Sequence, residues 1–235
     1  NNRLYQFRVM PFGLCNAPAT FQRLMDRVLH GLTWEQCLVY IDDIIIFAPN
    51  FATHLERLRN VFERIRMANL RLQPSKCKFC CSELPYLGFK ITKHGLAPDE
   101  NKVKAIMQMP VPISAERLKS FLCTVSYYRR FIKNFSKMAS YLFQLSQSKH
   151  KFKWDEQAEK DFKALKLALV SAPICIYPDF FQQFFIETDA SDRALGAVLS
   201  QKRNGLYLPV AYASRHLTKT ERNYSTSEKE LLALV

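Results

Sequence analysis

An apolar run over residues 39–47 has two adjacent carboxylates at its centre, and this feature restricts the fold more than any other. The run reads Val-Tyr-Ile-Asp-Asp-Ile-Ile-Ile-Phe, and such β-branched and aromatic residues favour strands that are buried on both faces. Because Asp42 and Asp43 interrupt the run, it predicts two short strands joined by a tight turn. Two like charges side by side repel unless a cation joins them, and carboxylate oxygens suit Mg²⁺. A turn that merely contains two aspartates is the alternative, because Asp is a common turn residue.

The charge of the chain limits its partners. The formal net charge is +13, while 48% of the residues are hydrophobic and 13% are aromatic. A folded, strongly basic chain indicates a polyanionic partner, with nucleic acid first and an anionic membrane surface second. No apolar run approaches the roughly 20 residues that a membrane-spanning helix needs, so we expect no span.

The first third of the chain predicts an α+β unit. Thr53 and Glu56 have the spacing of a capping box, which would begin a helix. Alternating apolar residues at the start predict a strand, and a breaker-rich loop over residues 10–14 separates it from an amphipathic helix. The predicted elements are a strand at 4–9, helices at 16–30 and 53–69, and short strands at 70–72, 76–80 and 86–91.

The remainder predicts helices followed by an antiparallel sheet. Asp99 and Asp155 are candidate helix caps, and Asn204-Gly205 is a hairpin-turn signal. We expect one long helix over about 114–135, with cations beside Tyr127 on its exposed side. A last helix begins near Ser227, with Glu230 as its capping-box partner. The remaining predicted elements are a helix at 99–109, a helix after Asp155 that buries Ala158, Phe162, Leu165 and Leu169, and strands at 184–189, 194–201 and 206–214.

Four residues have a partial zinc-ligand pattern. Cys77, Cys80 and Cys81, together with His94, could form a ligand set, but no second paired ligand stands at zinc-finger spacing. We favour ordinary strand cysteines with free thiols.

Tyr40-Ile41-Asp42-Asp43 resembles the Y-x-D-D motif of reverse transcriptases. Together with four further motifs that stand in order along essentially the whole chain, it resembles the reverse transcriptase and ribonuclease H region of Ty3/gypsy-type long-terminal-repeat retrotransposon polyproteins. In the predicted thumb, Cys123-Thr124 stands where the family usually has Leu-Gly. The other motifs lie at 10–22, 86–89, 121–132, and 188–191 with 228–231.

For the polymerase, the resemblance implies that Asp42 binds metal in the palm and that Asp43 is its less essential neighbour. Two Mg²⁺ ions per active site are implied, with Mn²⁺ as a substitute. The implied nucleotide-binding residues are Phe12, Gly13, Tyr40 and Lys76, and the implied primer- and template-binding residues are Leu87, Gly88, Arg129, Arg130 and Lys133.

For the nuclease, the resemblance implies that Asp189 and Glu230 are catalytic metal ligands. Four carboxylates around two metal ions activate water against an RNA phosphate in this family. Glu230 is favoured over Glu228, because the Glu of the Glu-Leu-x-Ala stretch is the catalytic one. The two remaining carboxylates would follow Val235.

The resemblance implies an α+β fold with a partial right-hand polymerase palm and thumb, followed by a truncated ribonuclease H-like α/β domain. We expect the Asp42-Asp43 turn to be exposed and to face the thumb helix. The expected domains are palm 1–92, thumb 93–142, connection 143–179 and ribonuclease H-like domain 180–235.

We expect the chain to be a piece of a longer polypeptide, since it opens in a strand pattern and closes in a helical one. The fingers and the first palm carboxylate are missing, so the 235 residues alone should neither polymerise nor cleave. Expected partners are an RNA template, a DNA primer, an RNA–DNA hybrid, dNTPs and the rest of the polyprotein, which would include integrase. The expected location is intracellular, in a cytoplasmic virus-like particle or the nucleus. A catalytically inactive nucleic-acid-binding remnant and a basic membrane-surface protein are the alternatives.

Overall fold

The computed structural model describes residues 4–147 and 152–235, which form two compact units that divide between Phe79 and Cys80. Among these residues, none of the helices has both the length and the apolar character that a membrane crossing requires. The first unit contains helix α1 (Ala17–Val28), strands β1 (Cys37–Tyr40) and β2 (Asp43–Ile46), helix α2 (Phe51–Met67) and a 3₁₀ turn (Pro74–Lys76).

In the first unit, β1 and β2 form an antiparallel hairpin that packs against the two helices. Met25 and Leu29 bury their side chains from the α1 side, and Val61 and Ile65 bury theirs from α2. Cys37 of β1 completes this small core. The hairpin is therefore backed by the apolar packing of both helices.

The second unit contains two antiparallel three-stranded sheets and most of the helices. The sheet orders are β3-β4-β5 and β6-β7-β8. The elements are β3 (Leu84–Tyr86), β4 (Phe89–Thr92), β5 (Gly95–Pro98), α3 (Glu100–Met107), α4 (Ala115–Ser126), a 3₁₀ turn (Arg129–Phe131), α5 (Phe135–Met138), α6 (Ser140–Gln147), α7 (Glu156–Val170), β6 (Phe184–Ala190), β7 (Ala194–Arg203), β8 (Leu206–His216), a 3₁₀ turn (Glu221–Asn223) and α8 (Thr226–Leu234).

The core of the second unit lies between α4, α6 and α7. Leu118 and Leu122 of α4, Leu142 of α6 and Leu165 of α7 are all fully buried there. Lys166 joins α7 to α3, because its Nζ donates to the main-chain oxygens of Met107 and Met109 at 3.0 and 2.6 Å. The last turn of α3 thus has its free carbonyls satisfied by a side chain from α7.

Several predicted elements are confirmed. The hairpin over residues 37–46, the Asp99 cap and the helix after Asp155 are present, and the sheet β6-β7-β8 follows the three predicted strands. Asn204 and Gly205 form the predicted turn, each with positive φ. The four residues predicted to be buried on α7 are buried.

Three of the predicted strand regions are wrong. The strand predicted over 86–91 is divided by a turn at Leu87 and Gly88, which separates β3 from β4. Residues 4–9 form no strand, and Leu4 and Phe7 are largely exposed, because no strand of the described residues pairs with this segment. Residues 70–80 contain the 3₁₀ turn at Pro74 rather than strands. Proline fixes φ and lacks an N–H donor, so it favours a turn here.

Two predicted helix caps are displaced. Helix α2 is capped by Asn50, whose side chain accepts from the Thr53 N–H at 2.9 Å, so Thr53 and Glu56 do not form the capping box. Helix α8 is capped by Ser225 in a capping box with Glu228, two residues before the predicted pair. In both cases an earlier Asn or Ser supplies the capping oxygen.

The long helix predicted over residues 114–135 is wrong. Helix α4 ends at Ser126, a 3₁₀ turn follows at Arg129–Phe131, and Asn134 adopts a left-handed conformation before the short α5. The sequence keeps a helical period across this region, but tertiary hydrogen bonds of Tyr127 and Tyr128 accompany the end of the helix.

Candidate active sites

Asp42 and Asp43 occupy the end of the β1–β2 hairpin. Tyr40 and Asp43 are partners in the register, so Ile41 and Asp42 form a two-residue turn between them. Both carboxylates are exposed, and no ion pair engages either one in the part of the chain that the structure describes. The prediction of an exposed carboxylate turn is confirmed.

The backbone at Ile41 is strained. Its φ is +55°, in the left-handed region that a β-branched residue rarely adopts, at a cost on the order of 1–3 kcal/mol. The Ile41 N–H donates to Oε1 of Gln22 at 2.5 Å, and Nε2 of Gln22 donates to Asp26 at 2.8 Å. Gln22 of α1 therefore helps to hold the turn in which Asp42 lies.

The predicted nucleotide-binding residues are exposed in the first unit. Phe12 is fully exposed and Gly13 has a φ of +89° with open space around it. Tyr40 is half-exposed directly before the turn, and Lys76 is the exposed last residue of the 3₁₀ turn. Of these, Tyr40 alone is placed beside the carboxylates by strand pairing.

Leu87 and Gly88 form the turn of the β3–β4 hairpin, and two tyrosines hold it. Both turn residues have positive φ. The Tyr127 hydroxyl donates to the Leu87 carbonyl at 2.6 Å, and the Tyr128 hydroxyl donates to the Gly88 carbonyl at 3.1 Å. The Phe89 ring stacks on Tyr127 with a centroid distance of 5.0 Å. The predicted primer-binding turn is thus fixed by side chains that follow α4.

Gly88 packs closely against the hydroxyl of Tyr128. A side chain at Gly88 would bring its Cβ within 3.2 Å of the Tyr128 hydroxyl, and φ there is +78°. Tyr128 is 4% exposed, and burial raises the pKa of its hydroxyl. The hydroxyl is therefore a neutral donor to the turn at physiological pH.

The three predicted phosphate-binding cations have different surroundings. The Arg129 guanidinium donates to the Ser214 carbonyl and to the Ser136 hydroxyl, so part of it is committed to protein contacts. The Arg130 guanidinium lies 5.8 Å from the Phe131 ring centroid, and Lys133 is exposed. They lie on a 3₁₀ turn and a loop rather than on the predicted helix face.

Asp189 lies on β6, which is an edge strand of its sheet as the described residues form it. Its side chain is exposed, and Oδ2 accepts from Nδ2 of Asn134 at 3.3 Å. The Asp189 carboxylate is therefore accessible to solvent.

Glu230 lies on α8, which packs against β6 and β7, so the strand and the helix that carry the two predicted nuclease carboxylates are neighbours. Glu230 is exposed and outside the capping box, whereas Glu228 caps the helix by accepting from the Ser225 N–H at 2.7 Å. That bond lowers the pKa of the Glu228 carboxyl. The capping role therefore belongs to Glu228 and leaves Glu230 available.

Metal-binding capacity is incomplete in the described residues. They contain no group of three or more His, Cys, Asp or Glu side chains that could hold a metal ion. The cysteines at 77, 80 and 81 therefore do not form such a group with His94. Asp42 and Asp43 still offer adjacent, exposed oxygen donors of the type that Mg²⁺ prefers. They fit part of a metal site.

Sequence reasoning missed the hydrogen bonds by which four residues support these sites: Gln22, Tyr127, Tyr128 and Asn134. Gln22 belongs to the motif over residues 10–22, and both tyrosines belong to the motif over 121–132. Their presence in these motifs was a signal, but their hydrogen-bond partners are distant in sequence and follow only from the fold. Asn134 carried a weaker signal, since Asn tolerates the left-handed conformation.

Family models match two parts of the chain. Residues 1–91 match the model for "Reverse transcriptase (RNA-dependent DNA polymerase)", and residues 154–235 match the model for "RNase H-like domain found in reverse transcriptase".

Curated relatives match along the whole chain. The "Retrovirus-related Pol polyprotein from transposon 412" of Drosophila melanogaster is 42% identical over 100% of this chain and 19% of its own length. The corresponding polyprotein from transposon gypsy of the same organism is 39% identical, over 100% of this chain and 24% of its own length. The chain thus spans a quarter or less of these relatives.

Solved structures of the foamy viral protease-reverse transcriptase are similar in fold. The complex with dsDNA gives a TM-score of 0.82 at 26% identity, over 96% of this chain and 47% of that one. The complex with an RNA/DNA hybrid gives 0.81 at 26% identity, over 96% and 30%. The α+β architecture expected from the motifs is confirmed by this likeness.

Proposed function

Because the chain belongs to the reverse transcriptase and ribonuclease H region of retrovirus-related transposon Pol polyproteins, we propose that it forms part of an RNA-directed DNA polymerase joined to a ribonuclease H. The observation that carries the proposal is the exposed Asp42-Asp43 turn on a hairpin within the segment that matches the reverse transcriptase model. Asp189 and Glu230, on packed neighbouring elements, extend it to the nuclease.

The reverse transcriptase and ribonuclease H families depend on divalent metal ions. Asp42 and Asp43 would hold part of one site, and Asp189 with Glu230 part of the other. When bound, two Mg²⁺ ions per site supply charge neutralisation at the leaving group and activation of the attacking oxygen, and Mn²⁺ can replace them. The assignment of two ions rests on this chemistry and on the family.

The other predicted site residues have the following proposed roles. Phe12, Gly13, Tyr40 and Lys76 contact the incoming dNTP, with Lys76 near its phosphates. Leu87 and Gly88 contact the primer end through the turn that the tyrosines hold. Arg130 and Lys133, with the remaining donors of Arg129, contact the phosphate backbone.

The proposed partners are an RNA template, a DNA primer and their hybrid, together with the rest of the polyprotein. The net charge of +13 and the nucleic-acid complexes of the foamy viral protein support them. The proposed location is intracellular, in a cytoplasmic particle or the nucleus. The division into palm 1–92, thumb 93–142, connection 143–179 and ribonuclease H-like domain 180–235 is likewise proposed.

Two reciprocal variants test the function. The protein tested is this chain extended by the flanking segments that its relatives have, with primer extension on an RNA template and RNA cleavage in a hybrid measured in parallel. Asp42→Asn should lower primer extension by about 10³-fold or more and leave cleavage intact, because the two chemistries use separate carboxylates. Asp189→Asn should do the reverse.

The control is Glu63→Gln, which removes an exposed carboxylate from α2 and should change neither activity. An extended protein that binds hybrid with neither activity would support the inactive remnant and contradict the proposal. Loss of both activities in either single variant would contradict the assignment of separate sites.

A further inference from the structure

Asn134 connects the segment after α4 to the strand that carries Asp189. It lies between the 3₁₀ turn Arg129–Phe131 and α5, with a φ of +55°. Asn is one of the few residues that adopt this left-handed conformation at small cost. Its Nδ2 donates to Oδ2 of Asp189 at 3.3 Å. A residue 55 positions away in sequence therefore contacts the proposed nuclease carboxylate directly.

The Asn134 side chain occupies the space above Gly196. Gly196 lies opposite Asp189 in the β6–β7 register. A Cβ at Gly196 would lie 2.1 Å from Oδ1 of Asn134, which is far inside van der Waals contact. The φ of Gly196 is not positive, so an alanine could adopt the same backbone conformation. The strain in such a variant would come from the steric conflict with Asn134. Glycine at 196 is thus explained by the presence of Asn134.

The segment around Asn134 is fixed to the same sheet. The Ser136 N–H donates to the Ser214 hydroxyl on β8 at 3.0 Å, and that hydroxyl donates to the Ser136 hydroxyl at 3.1 Å. The Arg129 guanidinium donates to the Ser214 carbonyl as well. These contacts anchor the backbone on both sides of Asn134, so the amide is held in place before any ligand binds.

We propose that Asn134 is a positioning residue for the nuclease site, which orients Asp189 by holding one of its two carboxylate oxygens. The proposal rests on the nuclease function proposed above. The amide donor engages Oδ2 and leaves the other oxygen free for a divalent cation. Partners of this kind around a metal ligand contribute roughly 10–100-fold to metal affinity or activity.

A melting-temperature cycle on the metal-free 235-residue chain tests the packing without any activity. Asn134→Gly keeps the left-handed backbone and removes only the side chain, and Gly196→Ala pushes the amide aside. Each single variant should lower the Tm by roughly 2–4 °C. The double variant should melt no lower than Asn134→Gly, because the alanine then has room. Additive losses would show that Asn134 does not occupy the space above Gly196 and would overturn the proposal.

The magnesium dependence of RNA cleavage by the extended protein tests the positioning role. Asn134→Gly and Gly196→Ala should each cleave about tenfold more slowly at limiting Mg²⁺ and approach the unsubstituted rate as Mg²⁺ rises. Asn134→Asp, nearly identical in shape, should cleave more slowly still, since it places a second carboxylate against Asp189. Lys137→Ala on α5 is the matched control, and primer extension should be unchanged throughout.

An Asn134→Gly variant with the same magnesium dependence as the unsubstituted protein would overturn the positioning role. Failure of the unsubstituted protein to cleave would instead refute the proposed nuclease activity. The melting-temperature cycle would still decide whether Asn134 is held above Gly196 beside Asp189.

Discussion

The two proposed carboxylate sites are built in opposite ways. Asp42 and Asp43 are adjacent in sequence, and a single hairpin turn with a strained residue at Ile41 presents them together. Asp189 and Glu230 lie on a strand and a helix that must pack before the two can cooperate, and Asn134 reaches Asp189 from a third segment. The first site therefore depends on local backbone geometry, and the second depends on tertiary assembly. A change in one should leave the other intact, and this independence can be tested.

After the loss of Asp42 itself, the largest expected effect concerns Gln22, which should matter to the first site alone. In the extended protein, Gln22→Leu removes the acceptor of the Ile41 N–H, so the strained turn can relax and displace Asp42. We expect primer extension to fall by roughly tenfold, because small misplacements of a catalytic group are costly. RNA cleavage should not change.

Gln22→Glu is the control for the acceptor, since it keeps an oxygen at the same position and loses only the donor to Asp26. It should retain most of the primer extension. A parallel fall in RNA cleavage with Gln22→Leu would contradict the independence of the two sites.

The second prediction concerns the hairpin turn at Leu87 and Gly88, which lies in the second unit but is proposed to serve the polymerase. Tyr128→Phe removes a buried donor to the Gly88 carbonyl, worth about 0.5–1.5 kcal/mol. We expect the Tm to fall by roughly 2–4 °C and the KM for primer-template to rise several-fold. Tyr127→Phe should have a smaller effect on stability, because Tyr127 is half-exposed.

The primer-extension kcat distinguishes positioning from simple destabilisation in this experiment. It should stay within about twofold at saturating primer-template, since the substitution alters binding rather than chemistry. An unchanged KM alongside a lower Tm would confine the two tyrosines to a structural role. The β3–β4 turn of the second unit would then contribute less to primer binding than we propose.

The contrast between the two sites also explains what the sequence could predict. The Asp42-Asp43 hairpin follows from an apolar run broken at its centre, and the order of β6, β7 and β8 follows from strand patterns and an Asn-Gly turn. Both depend on residues that are near one another in the chain. The predicted helix over 114–135 failed because hydrogen bonds from Tyr127 and Tyr128 to a turn 40 residues earlier are not visible in a local period.

The predicted strand at 4–9 illustrates the same limit. Alternation indicates what a strand would bury, but a strand also needs a partner, and the described residues provide none for this segment. The capping errors are of a different kind. Asn50 and Ser225 were present in the sequence as good caps, and choosing between neighbouring capping residues requires the actual first turn of the helix.

The smallest expected effect is a pH dependence of stability that originates in the second unit. Burial, followed by the charges of Arg222 and Arg129, lowers the pKa of His216 below its usual 6.5. Its Nε2 is buried without a hydrogen-bond partner among the described residues, and the Phe143 ring packs on it edge to face at 5.7 Å. As the pH falls through 6.5, His216 becomes protonated in the unfolded chain while it stays neutral in the folded chain. Stability should therefore be lost below 6.5, down to the lowered pKa.

His216→Phe should abolish this loss, so that its Tm stays level between about pH 7.5 and 5.5 while that of the unsubstituted chain falls. Replacing the exposed His94 by Gln should preserve the slope. Glu221, whose pKa Arg215 lowers from 4.5 to about 2, keeps its stabilising contribution above pH 4.5 and loses it only as the pH falls below that value, so it adds no slope between pH 7.5 and 5.5. If the slope survives in His216→Phe, then another group titrates in the window. If it appears in the unfolding of the first unit as well, then the two units do not respond to pH separately.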